Sequence, residues 1–410
     1  MRRIRDRVGG LDVHRDSVVA CVELFDGHSV EVDKHTFSTT AAGVRELGEW
    51  LAEREVELVV MEATGVYWRP VYYGLEDRFD ELWLVNAHHV KNVPGRKTDM
   101  SDAQWLADVA AHGMVRASFV APPEIRGLRE LTRYRKTQIT ARSQEIQRLE
   151  RLFQDAGIKL TSVASKVWSQ SSRAMTEMLI AGDADPAVLA ELAKGRMRPK
   201  IPALIEALEN RWLSYHSVVA RQILAHIDFL DATIDTLNTE IVESVAPFRA
   251  AVELLTTIPG VSTLTAQTII AETGADMTRF PTAAHLAAWA GVAPASRESA
   301  GKRRPAGTRH GSRHLRHSLI EAARAAARTK DTFLSARYQR ITRRRGPNKA
   351  AVAIAHSILV SAHHMLLTGE IYHDPGANYY DKRDNDPDRK LHRHIAELQA
   401  AGYTITRTAA

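Results

Sequence analysis

Residues 8–24, "VGGLDVHRDSVVACVEL", decide the fold class. β-Branched residues crowd both ends, and the polar step His14-Arg15-Asp16 separates them, which is the pattern of two strands joined by a turn. Alternation in "SVEVDKHTFST" adds a third strand, and three consecutive strands imply an antiparallel start. Working outward, a helix over about residues 40–54 precedes the buried-type strand "VELVVMEATG"; a helix near residues 67–75 leads to the strand "ELWLVNA" and then to the helical "AQWLADVAAHG". This β-β-β-α-β-α-β-α order predicts an α/β domain with a mixed sheet flanked by helices, over residues 1–118.

Beyond Glu124 the strand signals stop. "LRELTRYRKTQITARSQEIQRLERLF" reads as a long basic amphipathic helix. Ile223, Ile227, Leu230, Ile234, Leu237 and Ile241 follow one another at alternating spacings of four and three, a heptad seam that an intramolecular helical hairpin and an intermolecular coiled coil satisfy equally. An all-α spacer is expected over residues 119–248, with loops and a short helix in "AGDADPAVLAELAKGRMRPKIP". A small, mainly helical domain with Gly/Pro punctuation follows over 249–372, and a polar tail over 373–410.

The 410 residues, 44% of them hydrophobic, suffice for two or three domains with real cores. A single cysteine, Cys21, excludes an internal disulfide and a thiolate metal cluster. The basic start "MRRIRDRVGG" precedes no signal-type apolar stretch, and nowhere do about 18 apolar residues run together, so a cytoplasmic, nucleoid-associated protein with no membrane partner is expected. Charge is segregated: Arg297 to Lys349 holds sixteen Lys/Arg and three acids, a net +13, which leaves −7 for the rest of a chain whose total is +6. Such a basic segment suits a polyanion, as nucleic acid is.

Two acids sit where apolar residues belong, Asp12 within the first strand and Glu62 at the end of "LVVMEATG". A buried carboxylate is costly unless paired or bound to a cation. Asp12 alone is equally explained as a satisfied core acid or as a residue on the solvent face. In "RKTDMSDA", residues 96–103, Asp99 and Asp102 lie one turn apart at a helix start, just after Arg96 and Lys97. Capping explains that pair by itself. If the first and fourth strands are neighbours, however, Asp12 and Glu62 converge at one edge, where four carboxylates would need counter-charge. Mg²⁺ prefers such oxygen ligands and serves phosphodiester chemistry.

The carboxy-terminal half carries the cations. "LLTTIPGVSTLTAQTIIAETG" reads either as a helix-hairpin-helix, with Gly260 in a turn that offers N–H groups to a phosphate, or as an ordinary Pro-Gly hairpin; Ser262 stands where a second glycine is usual. Next comes a Gly/Ser-rich loop in which Lys302, Arg303, Arg304, Arg309, Arg313 and Arg316 could hold a phosphodiester beside a hydroxyl nucleophile. Any one serine there is, on its own, more simply a turn residue. Arg344, Arg345 and Lys349 are expected to contact phosphate, and Arg96 and Lys97 to guide one. Arg133, Arg135 and Lys136 on the long basic helix suit an RNA backbone, although sequence does not separate RNA from DNA.

The segments "GLDVHRDSV", "VVMEATGVYWRPVYYGLE" and "VNAHHVKNVPGRKTDMSDAQWLADVAAHGMV" closely resemble, in order and spacing, the DEDD insertion-sequence transposases, the "IS one-ten" family. The likeness extends over most of the chain. It implies a ribonuclease H-like amino-terminal domain similar to the resolvase RuvC. It also implies that Asp12, Glu62, Asp99 and Asp102 are catalytic metal ligands for Mg²⁺, two ions to a composite site. Pro294, Ser299, Gly311, Leu315, Arg316 and Ala322-Ala323 look like counterparts of the family's "P…SG…K" and "G…LR…AA" patterns, which makes Ser299 the implied nucleophile of a phosphoserine–DNA intermediate. Ala300 intervenes before Gly301, so Ser296 is kept as a second candidate. Donor and target DNA, a non-coding bridge RNA, and a dimer assembling to a tetramer are the implied partners. A RuvC-like nuclease and a non-catalytic nucleic-acid-binding relative are the alternatives.

Overall fold

Strands β1 (Arg7–Val13), β2 (Ser17–Phe25) and β3 (Val30–Ser38) are followed by α1 (Ala41–Glu53), β4 (Leu58–Glu62), α2 (Trp68–Leu75), β5 (Glu81–Val85), α3 (Ala87–Lys91) and α4 (Asp102–Ala111). These elements match the sequence pattern with one addition, the five-residue α3. The structure is a computed structural model that describes residues 2–94, 100–164, 166–295, 298–299, 301–303, 307–308, 311–385 and 387–406. Two compact units are formed, Met1–Val120 and Ala121–Ala410.

In the first unit the sheet order is β3-β2-β1-β4-β5. The first three strands pair antiparallel, whereas β1–β4 and β4–β5 are parallel. A turn with His14 N–H donating to the Ser17 carbonyl (2.9 Å) closes the first hairpin. Period-two alternation sorts the strand residues between two cores. Leu11, Val13, Val59 and Met61 pack with Val44, Leu47 and Leu51 of α1 and Val71 and Leu75 of α2. Val8, Leu58, Val60 and Val85 pack instead with Trp105, Leu106 and Val109 of α4. Each such side chain, fully buried, contributes roughly 1.5–3 kcal/mol. On the α4 side Gly10 permits unusually close approach: a Cβ there would lie 2.0 Å from the Ala103 carbonyl oxygen and 2.7 Å from the Ala107 nitrogen.

The second unit begins with α5 (Pro123–Asp155), α6 (Leu160–Val163), α7 (Gln170–Ala181), α8 (Pro186–Glu191), α9 (Ile201–Ala207) and α10 (Ser214–Ser244). Helix α10 lies along α5. Ile223, Ile227, Leu230, Leu237 and Ile241 of the seam are buried and Ile234 is half-buried. Ile223 and Ile227 share a core with Leu149 and Phe153 of α5 and Met175 and Leu179 of α7. Of the two arrangements the heptad allowed, the structure holds the intrachain hairpin.

The unit continues with α11 (Arg249–Thr256), α12 (Thr263–Thr273), α13 (Ala283–Trp289), a short hairpin of β6 (Glu298–Ser299) and β7 (Lys302–Arg303), α14 (Arg313–Ala326), α15 (Phe333–Arg345), α16 (Pro347–Thr368), α17 (Tyr379–Asn385) and α18 (Pro387–Ala400). The helices expected as a spacer and those expected as a carboxy-terminal domain thus fall within one unit. Helix α16 is long and apolar enough to span a bilayer by length and composition. It packs against α13, α14 and α15 and buries Ile354, Ile358, Leu359 and Ala362, as a core helix does. Gly260, at φ +85°, sits where a Cβ would meet the Ala322 carbonyl oxygen at 2.5 Å and the Ala326 nitrogen at 2.4 Å, so the turn before α12 packs directly on the α14 backbone.

Candidate active site

Parallel pairing of β1 with β4 puts Leu11 opposite Met61, so Asp12 and Glu62 are the next residues along adjacent strands. Alternation assigns both to the face covered by α4, because Val8 and Gly10 precede Asp12 on that face and Leu58 and Val60 precede Glu62. Asp102 opens α4 on the same side. The N-cap of that helix is Ser101, whose hydroxyl accepts from the Gln104 N–H, which leaves Asp102 in the first turn rather than at the cap.

The three carboxylates line one cavity of about 310 Å³, together with His14, Thr64 and Lys91. Burial pushes the Asp12 carboxyl above the usual aspartate range; His14, whose Nε2 lies 3.3 Å from Asp12 Oδ2, opposes the shift and the Asp102 charge adds to it. The Thr64 hydroxyl donates to Glu62 Oε1 at 3.0 Å. Among the described residues, no three His, Cys, Asp or Glu side chains are gathered tightly enough to hold a metal ion. Asp99, the fourth expected carboxylate, lies outside the described residues, as do Arg96 and Lys97. The donor set of hard carboxylate oxygens around a polar cavity nevertheless fits a divalent cation of the Mg²⁺ kind in its chemistry.

In the second unit Ser299 is the last residue of β6 and pairs with Lys302 across a two-residue turn. Gly301 takes φ +73°, a value glycine adopts without strain. The base of the loop is pinned by Ala295 N–H to the Gly307 carbonyl (3.1 Å) and Ser312 N–H to the Trp289 carbonyl (3.3 Å). Ser296, Arg304 and Arg309 lie outside the described residues.

Ser312 then caps α14 and donates its hydroxyl to Glu272 Oε2 (3.1 Å). Glu272 is buried, and Arg133 grips it through both carboxylate oxygens, at 2.6 and 2.8 Å. Burial alone would push the Glu272 carboxyl up, but Arg133, Arg129 and Ser312 outweigh it and hold the group below the usual glutamate range.

On the expected basic face of α5, two of the cations are engaged by partners within the second unit. Arg133 is committed to Glu272, and Arg135, only 4% exposed, donates through Nη1 to Asn238 Oδ1 (3.1 Å) and Gln267 Oε1 (2.9 Å). Lys136 is half-buried and pairs with Glu321 at 2.9 Å. Lys302, Arg313, Arg344, Arg345 and Lys349 are exposed and Arg316 is half-buried.

The sequence reading passed over His14, Lys91 and Glu272. His14 was findable as the residue two after Asp12 and Glu272 as a charge within an apolar helix, whereas Lys91 belongs to the unforeseen α3.

A mixed sheet edged with acids, joined in one chain to a basic helical unit, is the build of an enzyme that processes DNA strands. Two family models match, a DEDD transposase model of the IS110 type over residues 9–157 and one described as transposase IS116/IS110/IS902 family over residues 252–339. Together they span more than half of the chain, which belongs to the IS110 family of transposases. The first match contains Asp12, Glu62, Asp99 and Asp102, and the second contains Ser296 and Ser299. No curated protein matches the chain.

Proposed function

We propose that this transposase cuts and rejoins DNA with two sets of groups, the carboxylates Asp12, Glu62, Asp99 and Asp102 and the hydroxyl of Ser299, guided by a bridge RNA. The observation that carries the reading is the convergence of Asp12, Glu62 and Asp102 on one cavity at the ends of adjacent parallel strands. The strand order and the α4 position support a ribonuclease H-like, RuvC-like domain. Mg²⁺ held by the carboxylates would neutralise and polarise the scissile phosphate.

The Ser299 oxygen attacks phosphorus, forming the phosphoserine ester as the bond to the 3′-oxygen breaks. The serine proton is released, and the departing oxygen gains one to become a 3′-hydroxyl; in the rejoining step that hydroxyl attacks the phosphorus of the partner strand's phosphoserine ester, the bond from phosphorus to the serine oxygen breaks, and the serine hydroxyl is regenerated with the proton the 3′-hydroxyl gives up. Lys302 and the arginines of the loop offset charge on the phosphate. Because the acids and the serine belong to different units, the reading includes a composite site formed across subunits of a dimer that assembles to a tetramer.

The test is a denaturing trap of protein incubated with its co-purified RNA and donor DNA. A covalent protein–DNA adduct should form, persist in Ser296→Ala, vanish in Ser299→Ala, and vanish when ribonuclease precedes the DNA. Full cleavage by Ser299→Ala would replace the reading with a water-activating nuclease.

A further inference from the structure

We infer that the cavity between α5, α12 and α14 is a phosphate-binding site, with the Arg135 guanidinium at its floor and the Lys136 ammonium at its mouth. The cavity encloses about 410 Å³ within the second unit, and the inference rests on neither the carboxylate nor the serine reading.

Arg135 is the starting observation. A buried guanidinium is costly without a counter-charge. Both acceptors of its Nη1 are neutral amide oxygens, and among the described residues no carboxylate pairs with it and no acceptor meets its Nε or Nη2. Glu272 is held by Arg133. Burial accordingly pulls the Arg135 pKa below its usual value. The chain thus keeps a positive charge inside and supplies nothing to neutralise it.

A second element points into the same space. The first turn of α12 lines the cavity through Ser262, Leu264 and Thr265; the Ser262 hydroxyl accepts from the Thr265 N–H, and the remaining N–H groups of that turn have no intrahelical acceptor. A forked guanidinium, a helix start and a lysine together match a tetrahedral oxyanion. Glu321 sits at the mouth, paired with Lys136 at 2.9 Å and with His317 at 3.2 Å, in the place an arriving phosphate would take. The shared chemistry is a phosphate group, either a phosphodiester of a bound strand or free inorganic phosphate.

Thermal unfolding of the full chain in phosphate- and sulfate-free buffer at constant ionic strength tests the site. Titrated inorganic phosphate should raise Tm progressively if the free anion is the ligand. If only phosphodiesters enter, inorganic phosphate is silent and a short oligonucleotide stabilises in its place. In either case Arg135→Met should weaken binding at least about tenfold. It should also raise the Tm of the ligand-free protein, because an uncompensated charge is gone. Should Arg135→Met fail to fold, Glu321→Gln at the exposed mouth keeps the test open, since it should tighten the same ligand several-fold. No stabilisation by either ligand, binding undiminished in Arg135→Met, or weaker binding in Glu321→Gln overturns the site.

Discussion

Asp12 and Glu272 are both acids embedded in apolar segments, and the fold treats them in opposite ways. Asp12 is left with its charge facing a cavity, beside His14 and within reach of the Asp102 field. Glu272 is enclosed and fully paired, so its carboxylate ties α5, α12 and the start of α14 together just after the serine loop. Its folded pKa lies below the ordinary value of 4.5. The stabilisation from this pair is therefore complete above pH 4.5 and is lost as the pH falls through the lower, folded value. Glu272→Gln should cost about 3 kcal/mol at neutral pH, because it removes the buried carboxylate that accepts from both Arg133 nitrogens and from Ser312. Denaturant unfolding as a function of pH checks this: the gap between wild type and variant should close towards acid, and a pH-independent gap would refute the ion pair. A charge in an apolar run made Asp12 and Glu62 visible in the sequence, and the same signal was present at Glu272. What no local pattern contains is the partner, since Arg133 lies 139 residues away. For that reason Arg133 and Arg135 read as surface cations although they point inward.

At the scale of elements, the site depends on how closely α4 lies on β1. Gly10 has no side chain at the point where the Ala103 and Ala107 backbone crosses it, and Asp102 is the residue just before that contact. Gly10→Ala must push α4 outward, costing about 1–3 kcal/mol as overpacking does, and it carries Asp102 away from Asp12 and Glu62. The adjacent Gly9→Ala meets side-chain methyls and no backbone, Leu51 Cδ2 at 3.0 Å, Val56 Cγ1 at 3.4 Å and Val59 Cγ2 at 3.9 Å. Strand exchange should therefore collapse in Gly10→Ala at a temperature where circular dichroism still reports a folded protein, and survive in Gly9→Ala. Equal activity in the two variants would separate the α4 contact from function. The strands were legible because alternation marks which side is buried, whereas the pairing of β1 with β4 stood in the sequence only as a condition and is supplied by the fold. Two features were not legible. Helix α3 is too short to show a period, and the heptad of α10 names a buried face without naming what covers it, which proves to be α5 and α7 of the same chain.

For the molecule as a whole, the separation of acids from serine is the decisive feature. The carboxylates belong to the unit Met1–Val120 and Ser299 to the unit Ala121–Ala410, and the +13 segment that surrounds Ser299 lies in the second. The proposed chemistry needs both sets on one phosphate, so a site is assembled either within a chain or between two. Mixing two dead proteins distinguishes the cases. Asp102→Asn removes one carboxylate and should leave folding nearly intact, because Ser101 rather than Asp102 caps α4; Ser299→Ala removes the proposed nucleophile. If each site takes its acids from one subunit and its serine from another, a mixed dimer contains one site with both defects and one with neither. Random pairing then restores about a quarter of wild-type strand exchange, half the dimers being mixed and half their sites intact. If the site forms within one chain, every subunit carries a defect and the mixture stays as inactive as its components. Strand exchange measured after co-refolding the two variants therefore decides between the arrangements, and the fraction recovered reports whether subunits pair at random.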